Sequence, residues 1–237
     1  QRKAARAWGI LCLAVCLPVG SEARNVCLST PNTSLVLDVE QGEEPKYVYY
    51  GRSFHRWMWK TSATSGTVTN RLIRLMGWTA RHEAAFAVRH SDGNLSTQLE
   101  VCAMEEKDTG EARTLSIRMK DKVYDFYVTL YYKAYRDVDI IEAWSSFRNE
   151  EKGEVVLGQF ASAYLPVRRG DVWLSRLYGA WANEARLVQE PLRPGMEVIQ
   201  NKDGVRNSHT AHAEVMFSLD GRPQEDNGRV IGRLCAM

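Results

Sequence analysis

The chain has 237 residues, 44% of them hydrophobic and 25% charged, the balance of an ordinary folded protein rather than a disordered one. Its 31 basic and 29 acidic residues leave a net charge of +2, so no basic excess marks a nucleic-acid surface. Seventeen glycines, seven prolines and no internal repeat exclude a collagen-like or low-complexity chain.

The first element reads as an export leader. Arg2, Lys3 and Arg6 form a basic start, and residues 8–19 form an apolar run shorter than the ~20 residues a membrane span needs. Ser21-Glu22-Ala23 puts small residues where a signal peptidase cuts. The expectation is a signal peptide over residues 1–23, with 24–237 a domain delivered to the periplasm or secreted. A short buried helix is one alternative. Lipidation is another, because Leu13-Ala14-Val15-Cys16 resembles a lipobox, although Val15 is bulkier than that position favours. The chain opens on Gln1 rather than Met, so its start reads as incomplete.

Two of the five cysteines, Cys12 and Cys16, fall in this leader. Cys27, Cys102 and Cys235 are odd in number, far apart and in no C-x-x-C pair, which excludes a zinc ribbon and a disulfide framework. Buried free thiols are the expectation, with a single disulfide the alternative.

From Ser29 onward apolar residues recur with period two, and turn residues interrupt them every eight to twelve positions. Strands are predicted over residues 34–39 and 46–50, then 84–89. Ser91-Asp92-Gly93-Asn94 is a hairpin signal, because Gly and Asn tolerate positive φ. Further strands are predicted at 97–102, 113–119, 123–135, 138–147 and 155–165. Residues 113–119 alternate almost strictly, so one face of that strand should be wet. The last predicted strands are 172–174, 177–181, 196–199, 213–219 and 229–232. About a dozen strands without an amphipathic helix predict an all-β fold, a large antiparallel two-sheet β-sandwich.

Residues 52–82 break the pattern. They carry no clean period and hold three of the seven tryptophans. Two readings stay open: a long functional loop or a frameshifted stretch.

Chemistry-bearing motifs are sparse. His209-Thr210-Ala211-His212 has H-x-x-H spacing but precedes a strand rather than sitting on a helix, so a loop is expected there and no metal site. No nucleophile elbow, P-loop or dinucleotide fingerprint occurs, and no cofactor is implied. Asn32-Thr33-Ser34 and Asn94-Leu95-Ser96 are sequons only in a eukaryotic secretory path. Glycoside hydrolysis needs two carboxyl groups ~5–5.5 Å apart in a retaining enzyme. The pairs Asp137/Asp139 and Glu150/Glu151 fall in turns or at strand edges, and both read as solvated surface charge.

The most informative stretch runs from Gly179 to His209. Gly179-Ala180-Trp181-Ala182-Asn183-Glu184-Ala185-Arg186 is followed by a segment fixed at Pro191 and Pro194, then by Lys202-Asp203-Gly204 and Ser208-His209. One reading is a long connection pinned by two fixed φ angles, with Trp181 filling the core. The other is a rigid loop presenting Trp181 and polar groups to a sugar, whose C–H faces stack on aromatic rings.

These residues resemble the N-terminal domain of glycoside hydrolase family 36 α-galactosidases. That family carries a G-x-W-x-x-E element, matched by Gly179, Trp181 and Glu184. It then carries P-L-x-P-G, matched by residues 191–195, and a G-x-x-S-S-H-like element, matched by Gly204, Ser208 and His209, with Asn207 in place of the first serine. Residues 139–144 and 159–166 are similar to the Bacteroidetes branch. The likeness covers residues 27–51 and 84–232. The resemblance implies an enzyme that removes terminal α-1,6-linked galactose from raffinose-type oligosaccharides and galactomannan. It would retain configuration through two aspartates in a catalytic (β/α)₈ barrel. It also implies an N-terminal sandwich that packs on the barrel, contributes to homo-oligomer contacts and rims the active site. The barrel and its aspartates are expected beyond Met237, so no catalytic residue is assigned in this chain. Trp181, Glu184, Arg186 and His209 are the residues expected to face the barrel or its galactoside cleft. In the family, a pocket-closing loop occupies the region of residues 52–82.

Overall fold

A computed structural model describes residues 24–53, 70–71, 85–161, 171–195, 197–200, 210–219, 221–224 and 228–232. The leader, most of the 52–82 stretch and His209 lie outside the described residues. Every regular element described is a strand. The chain divides into two compact units, Gln1–Pro166 and Val167–Met237.

The first unit is a sandwich of two antiparallel four-stranded sheets. One sheet has the order β1 (Arg24–Ser29), β2 (Thr33–Val39), β3 (Lys46–Arg52) and β4 (Asn70–Arg71). A short ribbon pairs β5 (Phe86–Arg89) with β10 (Val156–Phe160). The second sheet is an up-and-down meander of β6 (Leu99–Asp108), β7 (Ala112–Asp121), β8 (Phe126–Tyr135) and β9 (Ile141–Asn149). The period-two pattern explains why these segments become strands. Along β8, Phe126, Val128, Leu130, Tyr132 and Ala134 are buried, while the residues between them reach solvent. On β7, Leu115, Ile117 and Met119 are fully buried, as the alternation of 113–119 requires. These side chains meet Leu28, Leu35 and Leu37 of the first sheet in a single core. Burying each such side chain contributes about 1.5–3 kcal/mol. Tyr132 sits inside this core, and loss of solvent pushes its phenol up to about 12.

Polar clamps tie the strand connections together. Asp121 accepts backbone N–H groups of Gln98, Val123 and Tyr124, closing the β7–β8 turn. Asp139, just before β9, accepts from the Thr30 hydroxyl and the Asn32 backbone, both at 2.7 Å, and from the Asn32 side chain at 2.5 Å. Those bonds, led by the Asn32 side chain, hold its carboxyl below the usual carboxylate range. Asp139 is therefore an exposed surface charge, as expected from sequence, that also pins two connections together.

The second unit is a four-stranded antiparallel sheet with the order β12 (Arg186–Pro191), β11 (Trp173–Tyr178), β13 (Ala211–Ser218) and β14 (Gly228–Gly232). The two short strands predicted over 172–181 are one strand, β11, followed by a loop. Residues 197–199, predicted as part of a strand over 196–199, are not in a ladder. Gly195 at φ 133° turns the chain away, and Glu197 bonds a side chain of β11 instead. Three strands, β1, the two-residue β4 and β12, were not predicted.

Candidate functional site: the Trp181 loop

The candidate site is the connection between β11 and β12. These strands pair in unbroken register from Trp173 opposite Pro191 to Tyr178 opposite Arg186. The seven intervening residues form a structured loop. The Ala180 N–H donates to the Asn183 carbonyl at 3.1 Å, and the Asn183 N–H donates back to Ala180 at 2.9 Å. This pair encloses Trp181 and Ala182 as a two-residue tip. The Gly179 N–H reaches Thr210, next to β13, at 3.4 Å.

Two alanines in this loop, Ala182 at φ 60° and Ala185 at φ 56°, hold left-handed backbone conformations. Each costs roughly 1–2 kcal/mol in an L-residue. They are the only non-glycine residues with positive φ among those described. Strain of this kind persists where the surroundings over-determine it, often at functional sites. The loop uses it to hold Trp181 outward, with the residue 81% exposed. An indole left in water forgoes about 2–3 kcal/mol of burial. Trp181 therefore does not fill the core; the loop holds it out in solvent.

Glu184 lies exposed in the same loop, and Arg186 is exposed at its far end, opening β12 opposite Tyr178. Three of the four residues expected from sequence are thus brought together by one hairpin. The fourth, His209, lies outside the described residues. Its H-x-x-H companion His212 stands on β13.

A residue that the sequence reading passed over supports this hairpin. Arg176, on β11 and two residues before Tyr178, has a side chain only 13% exposed. It pairs with Glu190 of β12 at 2.5 Å and with Glu197 of the segment after the two prolines. Its guanidinium lies over the Tyr178 ring, 4.9 Å from the centroid. Burial works against its charge, but the hydrogen bond to Glu197 and the two carboxylates outweigh that and raise its pKa. Its Nε is buried with no hydrogen-bond partner among the described residues. Arg176 thereby fastens both arms of the Pro191–Pro194 segment beneath the loop. An arginine inside an otherwise apolar strand, near two glutamates, was the available signal.

A second polar cluster, in the first unit, is structural. His90 is buried, its Nδ1 lies 2.8 Å from Glu151 Oε1, and its Nε2 lies 3.0 Å from Thr97 Oγ1. The other oxygen of Glu151 accepts from the Ser91 backbone and hydroxyl. The Glu151 side chain is 5% exposed. Burial pushes its carboxyl up, but bonds from His90 and Ser91 overcome this and leave it lowered. Every polar atom is engaged within the protein, so the cluster offers no acid or base to a ligand. Sequence had read Glu151 as solvated; it is a buried clamp. Its neighbour Glu150 pairs with Arg148 at the surface.

Against known proteins, residues 43–235 match the model of the glycosyl hydrolase family 36 N-terminal domain. Alpha-galactosidase Mel36A of Lactobacillus acidophilus is 32% identical over 126 residues, which is 53% of this chain and 17% of that protein. The α-galactosidase of Lactobacillus brevis superposes with a TM-score of 0.73 at 23% identity, covering 85% of this chain and 31% of that one. The A355E D478A variant of α-galactosidase AgaA from Geobacillus stearothermophilus, solved with stachyose, gives a TM-score of 0.75 at 18% identity. That match covers 83% of this chain and 32% of the other. The chain thus spans about a third or less of each relative's length.

Proposed function

Because the chain belongs to the glycosyl hydrolase family 36 N-terminal domain family, we propose that it is the non-catalytic front domain of a retaining α-galactosidase. The whole enzyme would release terminal α-linked galactose from galacto-oligosaccharides. The chemistry would lie in a (β/α)₈ barrel encoded after Met237, and the front domain would serve as scaffold and rim. The observation that carries this reading is the Trp181 loop. An 81% exposed indole on a strained, hydrogen-bonded tip, with Glu184 and Arg186 beside it, is a surface built for a partner. That partner is the barrel or a galactoside in its cleft, with Trp181, Glu184, Arg186 and His209 facing it. The sugar-bound Geobacillus structures are in keeping with a galactoside ligand.

Two assays test it. The isolated chain should release no galactose from raffinose or melibiose. The protein carrying the downstream barrel should release it, and Trp181→Ala there should raise KM more than it lowers kcat. Galactose release by the isolated chain, or a downstream frame without a barrel, counts against the reading. The same indole also favours a second reading, a self-contained carbohydrate-binding module. Calorimetry of the isolated chain with raffinose separates the two, because only the module would give binding heat that Trp181→Ala removes.

Residues 1–23 are proposed to direct the protein to the periplasm or the medium, on the basic start and the apolar run. N-terminal sequencing of the exported protein should begin at Arg24; a cytoplasmic, uncleaved product would remove this proposal.

A further inference from the structure

The stretch that follows β11 has little apolar anchorage. From Trp181 to Gln200 no described residue is buried, and only Val188, Glu190 and Ile199 are half-buried. β12 lies at the edge of its sheet, and Leu187, Leu192 and Val198 are exposed. Burial of apolar surface, the main force that fixes a chain in place, therefore contributes little here. Ladder bonds to β11 hold β12 as far as Pro191. Beyond it, the described ties are the Leu192 N–H donating to the Val172 carbonyl at 2.8 Å and the bond from Arg176 to Glu197.

Arg176 stands at the meeting point of these ties. Its Nη2 bonds Glu190, near the end of β12, and its Nη1 bonds Glu197, beyond the Pro191–Gly195 turn. One planar group thus bridges the strand that enters the turn and the segment that leaves it. With 13% of its side chain exposed, Arg176 makes these bonds where they are screened less than a surface pair. The same guanidinium lies over Tyr178, the last residue of β11. Tyr178 stands opposite Arg186, and the two close the base of the Trp181 loop. Further along the chain, the Thr210 carbonyl accepts from Gly179, the first residue of that loop. The base of the loop is therefore held from two sides. Arg176 acts on one side directly, through Tyr178, and on the other through Glu197 and the chain that leads on to Thr210.

We propose that Arg176 is a positioning residue, which couples the Pro191–Gly195 turn and residues 197–200 to the base of the Trp181 loop. Trp181, Glu184 and Arg186 then meet a galactoside already ordered, so less freedom is lost on binding. Arg176 itself touches no ligand. Its bearing on galactoside affinity rests on the α-galactosidase reading; the coupling between the two connections does not.

Amide exchange on the full chain reads the coupling. Arg176→Met keeps an apolar stem, and Glu197→Gln keeps the shape of the side chain. Each should speed exchange at Gly179, Ala180 and Asn183 by about tenfold, while residues 115–119 of β7 keep their rates. The Glu197 side chain is 45% exposed, so Glu197→Gln tests the bond without disturbing a core. In the Arg176→Met background Glu197→Gln should add nothing, because both remove the same bond. Arg176→Lys keeps the charge but loses the planar fork, and should not restore the wild-type rates. In the protein carrying the downstream barrel, Arg176→Met and Glu197→Gln should raise KM for raffinose by about tenfold while kcat holds, the pattern of lost binding rather than lost chemistry. A wild type that releases no galactose removes the α-galactosidase reading and leaves amide exchange to decide the coupling. Loop amides indifferent to both substitutions, additive effects in the double variant, full recovery with lysine, or an unchanged KM in an active protein each overturn the role of Arg176.

Discussion

The imidazole of His90 lies flat against the ring of Tyr124, with 3.8 Å between centroids and 10° between planes. Tyr124 in turn bonds Asp92 and Asn94 through its hydroxyl. Glu151 holds the imidazole from the side. Three connections, after β5, β7 and β9, therefore converge on one buried ring. Removing one partner of a buried hydrogen bond leaves the other unsatisfied, at a cost of about 1–3 kcal/mol and more for a charged group. Glu151→Ala is expected to lower unfolding stability by about 3 kcal/mol, read from urea denaturation, with little change in the Trp181 loop.

Gly153 lies beside the same knot. A Cβ placed there would come 2.7 Å from the Ser91 Cβ, closer than real carbons approach. Gly153→Ala should destabilise by about 1–3 kcal/mol through overpacking. A neutral result in thermal melting would mean that the connection yields where the structure shows it packed.

Acid sensitivity follows from the carboxylates. Asp139 and Glu151 both have folded pKa values lowered from 3.8 and 4.5 respectively. The folded state thus binds fewer protons than the unfolded one over that range, and stability rises with pH. Their contribution is complete above about pH 5 and is lost as pH falls through the lowered folded values. Urea midpoints measured between pH 3 and pH 6 should drop toward acid. Glu151→Gln should flatten that slope, because the amide does not titrate here.

The exposed Trp181 loop lets stability and the proposed function be tested apart. Trp181→Ala removes an exposed side chain and should move stability by no more than about 0.5 kcal/mol, while weakening activity once the barrel is present. Ala182→Gly relieves a left-handed alanine at φ 60°. It should be neutral or stabilising by up to about 1 kcal/mol in thermal melts. Leu115→Ala, at a fully buried site, should instead cost about 2–5 kcal/mol.

The strands legible in the sequence were those with one wet and one dry face. β7 and β8 alternate because the core takes every second residue, and the period-two pattern alone reveals that. β12 escaped notice because it is an edge strand with little buried on either side, so Leu187 and Gln189 carry no periodic signal. β11 looked broken at Arg176 because a charge inside a strand reads as a turn. It is continuous because Glu190 and Glu197, distant in sequence, neutralise that charge. Glu151 misled for the same reason. In the run Glu150-Glu151-Lys152-Gly153 it looks solvated, and the group that buries it, His90, stands sixty-one residues away. The Trp181 loop was legible as a motif, but its outward posture depends on backbone angles that no residue type announced.

The pin between Asp139 and Asn32 joins positions 107 residues apart. A ribosome adding 5–20 residues per second needs about 5–20 s to make that span. During this interval the first hairpin has emerged while the sheet it must pack upon is still unmade. Long-range pairing of this kind slows folding. Chaperone protection during biosynthesis should therefore matter most before Asp139 leaves the exit tunnel, and a nascent chain halted short of it should be far easier to digest than one halted just beyond β9.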